Sequence, residues 1–451
     1  MSIARHDAIA DTSAPPGAGP AALLACAHRL ARAEREKGCE DLVPEKLALL
    51  RAFDVPAMDR VVAICTWGRS GSLLLSSFLD GHEHVVMLPA LHGERIYDFF
   101  DAYRDLPLRE KLLAYPVFAE ADSPTRPGDH FFSGEFAIGA GGYCAAIEAL
   151  LQVYGDRSPE FLASSRTFFQ FLHVAYALAL GRHPAVPRPI MVHAQHRVWE
   201  QLSRRLVDDF PDARFLHSVR DPISCFDSSL IFNVRREIRL RQREPALYPM
   251  SPWDSLRWLA RSDAPNPGME ARTRAVRFED LHLRTEPTMR GVAEWLGIPY
   301  RLSLVSSTYN GAPWVFTRDG MSWSGARPEQ AQRQSSNLSF IDRALIFALF
   351  HDNFVAWHYP YPSGFSRRWL RRLVQAALWV VPTKAEMTTV RVSVAFQVVP
   401  CWRDGAYRGA IRTILRLLAR HVELARGAGV EFDRRLSGSH GVLNLLETIE
   451  K

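Results

Sequence analysis

Arg69, Ser70 and Ser72, threaded around Gly68 and Gly71, are the first residues of this chain whose types and spacing suit chemistry. A guanidinium and two hydroxyls can donate to one anion, while the glycines let the backbone turn tightly about it. Arg220 and Ser228 form a second set of the same kind. A pair of histidines, His193 and His196, follows a third apolar run. A histidine with an ordinary pKa, near ~6.5, suits proton abstraction at neutral pH.

Each set needs an element to place it. Val61, Val62, Ala63, Ile64 and Cys65 are an apolar run of strand length. Ser70 or Ser72 then caps a helix that opens into Leu73, Leu74, Leu75, Phe78 and Leu79. A helix start at a strand end offers free amides, here through Leu73, and a positive dipole end to an anion. Phe215, Leu216 and Val219 predict a second strand, with Arg220 at its end. Asp221 and Pro222 are the start signals of the next helix. Ser228, eight residues after Arg220, falls about two turns in. A bare strand–turn–helix junction would account for the first loop alone, so the second set decides for a ligand with two separated anionic groups.

The first loop is not that of ATPases and GTPases, which places about four residues between its first Gly and a Gly-Lys-[Ser/Thr] ending. Here two residues separate Gly68 from Gly71, and the loop has no lysine. No clear second-strand Asp offers itself to magnesium beside a triphosphate. The expected anion therefore needs no metal.

The pair of motifs resembles the sulfotransferase family that uses 3′-phosphoadenosine 5′-phosphosulfate (PAPS) and releases 3′-phosphoadenosine 5′-phosphate (PAP). By that resemblance Gly68, Arg69, Ser70, Gly71, Ser72 and Leu73 hold the 5′-phosphosulfate, and Arg220 and Ser228 the 3′-phosphate. Phe210-Pro211-Asp212-Ala213, Val276-Arg277-Phe278-Glu279-Asp280-Leu281 and Trp295-Leu296-Gly297-Ile298-Pro299 resemble recurring family segments in the same order. The likeness covers roughly residues 60–360. It implies an α/β fold, doubly wound, with a mostly parallel sheet covered by helices on both faces. It also implies a loop that closes the 3′-phosphate site, for which Trp323-Ser324-Gly325-Ala326-Arg327 is the candidate; Trp67 and Trp323 are candidates for adenine stacking, with a place in the core the favoured reading of each.

The base for an acceptor hydroxyl stays open among several residues. In one branch of the family a Lys-Thr-His sequence follows the strand matched here by Pro189–Val192. His193 falls near its Lys and His196 within one residue of its His. Glu135 is the runner-up as a carboxylate base, and Glu94 a weaker one. Each histidine can also be read as a cap on the helix running to Leu206, and each glutamate as a surface acid. Arg69 reads as an electrostatic clamp on the leaving phosphate, since a guanidinium does not readily give up a proton.

Composition is compatible with this. The chain has 451 residues, 47% hydrophobic and 23% charged, and a formal net charge of +6 that favours acidic ligands. Lysine occurs only at 37, 46, 111, 384 and 451, so the positive charge is nearly all arginine. Six cysteines, at 26, 39, 65, 144, 225 and 401, show neither pairing nor metal spacing. No stretch approaches ~18 apolar residues, and no signal peptide is evident, so the expected location is a bacterial cytoplasm.

Three parts are expected: an N-terminal tail and helices over 1–59, a catalytic α/β domain over 60–365, and a basic helical extension over 366–451. Helices are placed around Ala21–Glu36, Pro44–Phe53, Glu160–Leu180 and Tyr407–Arg426, and strands near 61–66, 85–88, 189–193, 214–219 and 273–277. An insertion near 90–188, rich in Phe131, Phe132 and Phe136, is expected to carry the acceptor site. The extension reads as packing helices with a solvated basic face, or else as a surface that rests on anionic membrane.

The expected reaction is in-line transfer of a sulfuryl group from PAPS to a hydroxyl-bearing acceptor, a carbohydrate or a lipid-linked glycan, without nucleic acid. A nucleotide-binding scaffold without turnover and a small-molecule kinase are the alternatives.

Overall fold

The computed structural model describes residues 39–67, 69–88, 96–115, 140–195, 200–231, 256, 259–260, 264–318, 321–332, 337–436 and 441–446. The first elements are α1 (Cys39–Leu50), β1 (Val61–Thr66), α2 (Ser72–Asp80) and β2 (Val85–Met87). After them come α3 (Ala140–Tyr154), α4 (Ser165–Ala179), β3 (Ile190–Gln195), α5 (Glu200–Asp209) and β4 (Arg214–Val219). A helix over 222–231 leads toward β5 (Thr273–Arg277), α6 (Phe278–Leu283) and α7 (Thr285–Leu296). Two short hairpins, β6–β7 (Thr308–Tyr309, Ala312–Pro313) and β8–β9 (Phe316–Arg318, Met321–Trp323), precede α8 (Phe340–Leu349). The C-terminal helices are α9 (Arg368–Ala377), α10 (Lys384–Ser393) and α11 (Tyr407–Leu436).

The five main strands form one sheet in the order β2-β3-β1-β4-β5, and every pairing is parallel. Strands of this kind are covered on both faces, which is why they read as unbroken apolar runs. Val61, Ala63, Cys65, Met191 and Phe215 face α1, α3 and α4. Val62, Ile64, Val192, Leu216 and Val276 face α2 and α7. The fold is thus α/β and doubly wound, with helices on both faces and helices at the C-terminal end.

The stretch expected as an acceptor insertion supplies part of this core. Tyr143, Phe168, Phe169 and Phe171, from α3 and α4, are fully buried. Phe131, Phe132 and Phe136 lie outside the described residues. In place of one helix over Glu160–Leu180 the chain forms Pro159–Leu162 and then α4. Ser158 and Ser164 each accept from the amide three residues on and start a new helix, which breaks the run.

Beyond β4 and β5 lies a third core group, in which Trp67, Val219 and Phe226 pack with Leu345 and Ile346 of α8 and Phe432 of α11. The returning chain bonds to the outer edge of β5: Ala275 N–H donates to Asn444 O, and Leu446 N–H to Ala275 O, both at 2.8 Å. That covers a sheet edge which would otherwise present open backbone groups.

Candidate active site

The end of β1 shows why this loop contains glycine. Gly71 has φ +89°, in the left-handed region, and a Cβ there would lie 2.4 Å from Phe278 Cδ2. Without a side chain Gly71 makes no cap bond to the first turn of α2, where Ser72 and Leu73 are half-buried. Arg69 is exposed beside them. Gly68 lies outside the described residues.

Ser70 differs from the expectation. It is fully buried, and its Oγ accepts from Trp67 N–H at 3.1 Å. The same Oγ lies 2.9 Å from Ser218 Oγ and 3.2 Å from Thr66 Oγ1. A hydroxyl has one proton and two lone pairs, and these three contacts use them. Ser70 therefore ties β1, the loop and β4 together, and does not present its side chain to an anion.

At the end of β4 the Arg220 guanidinium lies 4.3 Å from the centroid of the Phe278 ring. Its Nη1 donates to the Arg69 carbonyl at 3.3 Å, so the two motifs touch. Its Nε is buried and has no hydrogen-bond partner among the described residues. Two half-buried carboxyls stand close by. Asp221 N–H donates to Glu279 Oε1 at 3.3 Å, and Tyr359 OH donates to Glu279 Oε2. Burial pushes both Asp221 and Glu279 above the usual carboxylate range, opposed in part by hydrogen bonds from Ser224 and Tyr359 respectively and then by Arg220. Asp221 Oδ1 accepts Ser224 N–H at 2.7 Å and starts the helix over 222–231, where Ser228 is half-buried. Cys225 Sγ donates to Trp67 O at 3.0 Å and fastens that helix to the first loop.

His282 and the Arg327 loop complete this edge. Phe278 and His282 are one helical turn apart on α6, with ring centroids 4.4 Å apart. Arg327 N–H donates to His282 Nδ1 at 2.8 Å, which fixes that nitrogen as an acceptor. Burial, and then Arg220, hold the His282 pKa down to about 4. The loop expected to close the second anion site is thus attached to it through its backbone. Arg327 itself reaches Glu329 at 3.1 Å and lies 5.4 Å from the Trp323 ring.

His193 is corrected. It sits in the interior of β3 with its ring against Phe169 (5.3 Å between centroids) and near His173 (6.2 Å). Burial pushes its pKa down to about 4, and Nδ1 has no hydrogen-bond partner among the described residues. A general base must reach the proton it takes, and this ring faces the α4 layer of the core. Trp67 is corrected too. It is fully buried, edge-on to Phe350 and Trp357, with Nε1 donating to Leu259 O at 2.6 Å, so it offers no stacking face. His196, Glu135 and Glu94 lie outside the described residues.

Phe278, His282 and Ser218 were not singled out in the sequence as site residues. Polar residues closing apolar strands, Thr66 and Ser218, were the available signal for the serine network. The i, i+4 spacing of Phe278 and His282 was the signal for the other pair.

A family model described as "Sulfotransferase family" matches residues 62–301, which include every site element above from β1 through α7. Among solved structures, the chain is similar to the sulfotransferase domain of the curacin biosynthetic pathway, with a TM-score of 0.34 and 16% identity over 71% of this chain and 97% of that one. It is similar to the sulfotransferase domain of the Synechococcus PCC 7002 olefin synthase, with a TM-score of 0.30 and 17% identity over 73% and 99%. It is also similar to the sulfotransferase STF9 of Mycobacterium avium, with a TM-score of 0.26 and 14% identity over 55% and 66%. No curated protein matches the chain. With a family model spanning more than half of its length, this chain belongs to the sulfotransferase family and is by that membership a transferase.

Proposed function

We propose that the chain moves a sulfuryl group from PAPS to an acceptor hydroxyl by in-line displacement. The observation that carries this reading is the contact between the two strand ends: Arg220 donates to the Arg69 carbonyl while its Nε stays buried and, among the described residues, unpartnered. A buried guanidinium N–H without a partner costs free energy unless something accepts from it. A phosphate is the acceptor that suits an arginine.

On this reading the first-turn amides of α2 and the Arg69 guanidinium receive the 5′-phosphosulfate. Arg220 and Ser228 take the 3′-phosphate, with Arg327 and its loop alongside. Gly71 holds the left-handed turn that opens α2 and leaves room for the Phe278 ring beside it. Charge building on the leaving phosphate is met by donors already in place, which is where such a site lowers a barrier most. Arg69 stays protonated throughout and acts as a clamp. His196 or Glu135 takes the acceptor proton, the buried His193 being unsuited to it. The acceptor is a carbohydrate or lipid-linked hydroxyl, and the setting is the cytoplasm.

Calorimetric titration with PAP, without magnesium, tests this beside ATP and adenosine 5′-phosphosulfate. Selective PAP binding is expected. Equal affinity for ATP, or no PAP binding, would overturn the two-anion reading. PAP binding without turnover over a broad acceptor panel would instead favour a scaffold.

A further inference from the structure

The C-terminal helices carry a surface that the transfer reaction does not use. The chain runs through α10 to Arg403, turns at Gly405, whose φ is +72°, and comes back as α11. The two arms are antiparallel: Glu386 Oε1 meets His421 Nδ1 at 2.8 Å, and Gly409 lies against Cys401. The second half of α11 is anchored in the domain, where Ala428 and Phe432 are buried and Arg435 donates to Asn353 at 2.9 Å. Among the described residues its first half is covered on one side only, through Ala410 and Thr413.

The other side is apolar and exposed. Tyr407, Ile411, Ile414, Leu415, Leu418 and Val422 recur at offsets of 4, 7, 8, 11 and 15 from the first, which is one face of a helix. Ile411, Leu415 and Leu418 are 53%, 60% and 62% exposed. Trp402, 58% exposed, packs edge-on against Tyr407 at the turn. Arg408, Arg412 and Arg416, one turn apart, are exposed and form a row along the border of this stripe. From 387 to 422 the sequence holds arginines at 391, 403, 408, 412, 416 and 420, and a single acid, Asp404.

An exposed aliphatic stripe bordered by arginines, with Trp and Tyr at its end, fits an interface that is oily beneath and anionic above. We propose that the α10–α11 hairpin is a peripheral arm that lies on the surface of an anionic phospholipid bilayer. The stripe enters the acyl boundary while the arginines meet headgroup phosphates. The charge pattern argues against a second copy of this chain as occupant, because it would bring two arginine rows together with little acid to offset them. It argues against nucleic acid too, which would leave the aliphatic stripe in water. No described helix is long and apolar enough to cross a membrane, so the arm lies on the bilayer and does not span it. The inference rests on the C-terminal helices and is independent of the donor reading.

Co-sedimentation of the full chain with vesicles tests it, using equimolar phosphatidylcholine and phosphatidylglycerol against phosphatidylcholine alone. Binding to the anionic vesicles, weakened by salt, is expected. Leu415→Asp with Leu418→Asp should lower the bound fraction about tenfold, and Arg408→Glu with Arg412→Glu should do so by a similar factor. An unchanged far-UV spectrum and thermal midpoint certify each variant as folded, and the arginine pair serves if the leucine pair does not fold. No binding to anionic vesicles, or folded variants that bind like the parent, would overturn the proposal. A dimer by light scattering that the same variants split, without vesicle binding, would give the stripe to a second copy and overturn it as well.

Discussion

β3 and β4 lie on either side of β1, and each carries a residue that sequence would recruit for chemistry, His193 on one and Arg220 on the other. His193 is inside its strand, opposite Ala63, with its ring turned to Phe169. Arg220 follows the last residue of β4, with its guanidinium over Phe278 and its neighbours Asp221, Glu279 and His282 all polar. The first residue has been desolvated into silence. The second is braced against Phe278 and, among the described residues, its Nε is short of an acceptor. In a sheet buried on both faces, a polar side chain acts on a ligand by standing past the strand's end, whereas inside the strand it joins the core whichever face it takes.

That contrast can be sharpened first by acid. His173, His193 and His217 are fully buried, with pKa values pushed by burial down to about 3, about 4 and about 3. The unfolded chain binds protons at these positions below about pH 6.5, while the fold does not. Stability is therefore full above that value and falls as pH drops through it toward 4. At pH 5 each histidine contributes about 2 kcal/mol to that loss. Denaturant titration at pH 7 and pH 5 should show it, and equal midpoints would contradict the burial of these rings. Asp221 and Glu279 have the opposite sign, their raised pKa values taking stability away as pH climbs through their own range.

Gly71→Ala is next. It combines φ +89° with a Cβ placed at 2.4 Å from Phe278. A loss of roughly 2–4 kcal/mol in stability is expected, with PAP binding abolished in the calorimeter. Parental affinity in a folded variant would show that the loop does not need this conformation.

Arg220→Ala should weaken PAP by about 10- to 100-fold, the worth of a charge-assisted contact. Arg69→Ala should cost somewhat less, as its side chain is exposed. Unchanged affinities would remove the charged strand end from the site.

The smallest effect is expected for His193→Leu. It should leave PAP affinity and transfer rate within about threefold of the parent, and raise stability at pH 5 relative to pH 7. A fall of ~10²–10⁴ in transfer with binding intact would restore His193 as the base.

The strands were legible because apolar runs in a buried parallel sheet have little other use. Those expected near 61–66, 214–219 and 273–277 coincide with β1, β4 and β5, while β3, expected near 189–193, runs from Ile190 to Gln195. Strand order and the two small hairpins were not, since they depend on contacts between distant segments. The loop after β1 was legible as a strand–glycine–helix junction. Which of its serines faces inward was not, because Ser70 is turned by partners at Thr66 and Ser218, the latter 148 residues away. The facing of His193 was hidden for a related reason. With both sheet faces buried, alternation along β3 marks no inside and outside.

Phe278 has one edge against Gly71 and its face beneath Arg220, and α6 ties it to His282 and so to the Arg327 loop. The two proposed anion grips are thus mounted on one plank and keep a fixed span. For the proposed donor such a span works as a gauge: it measures the separation of two phosphates as well as their charge. An isomer with its phosphate on the neighbouring ribose carbon would carry the same charge, miss the second grip and be turned away by length alone.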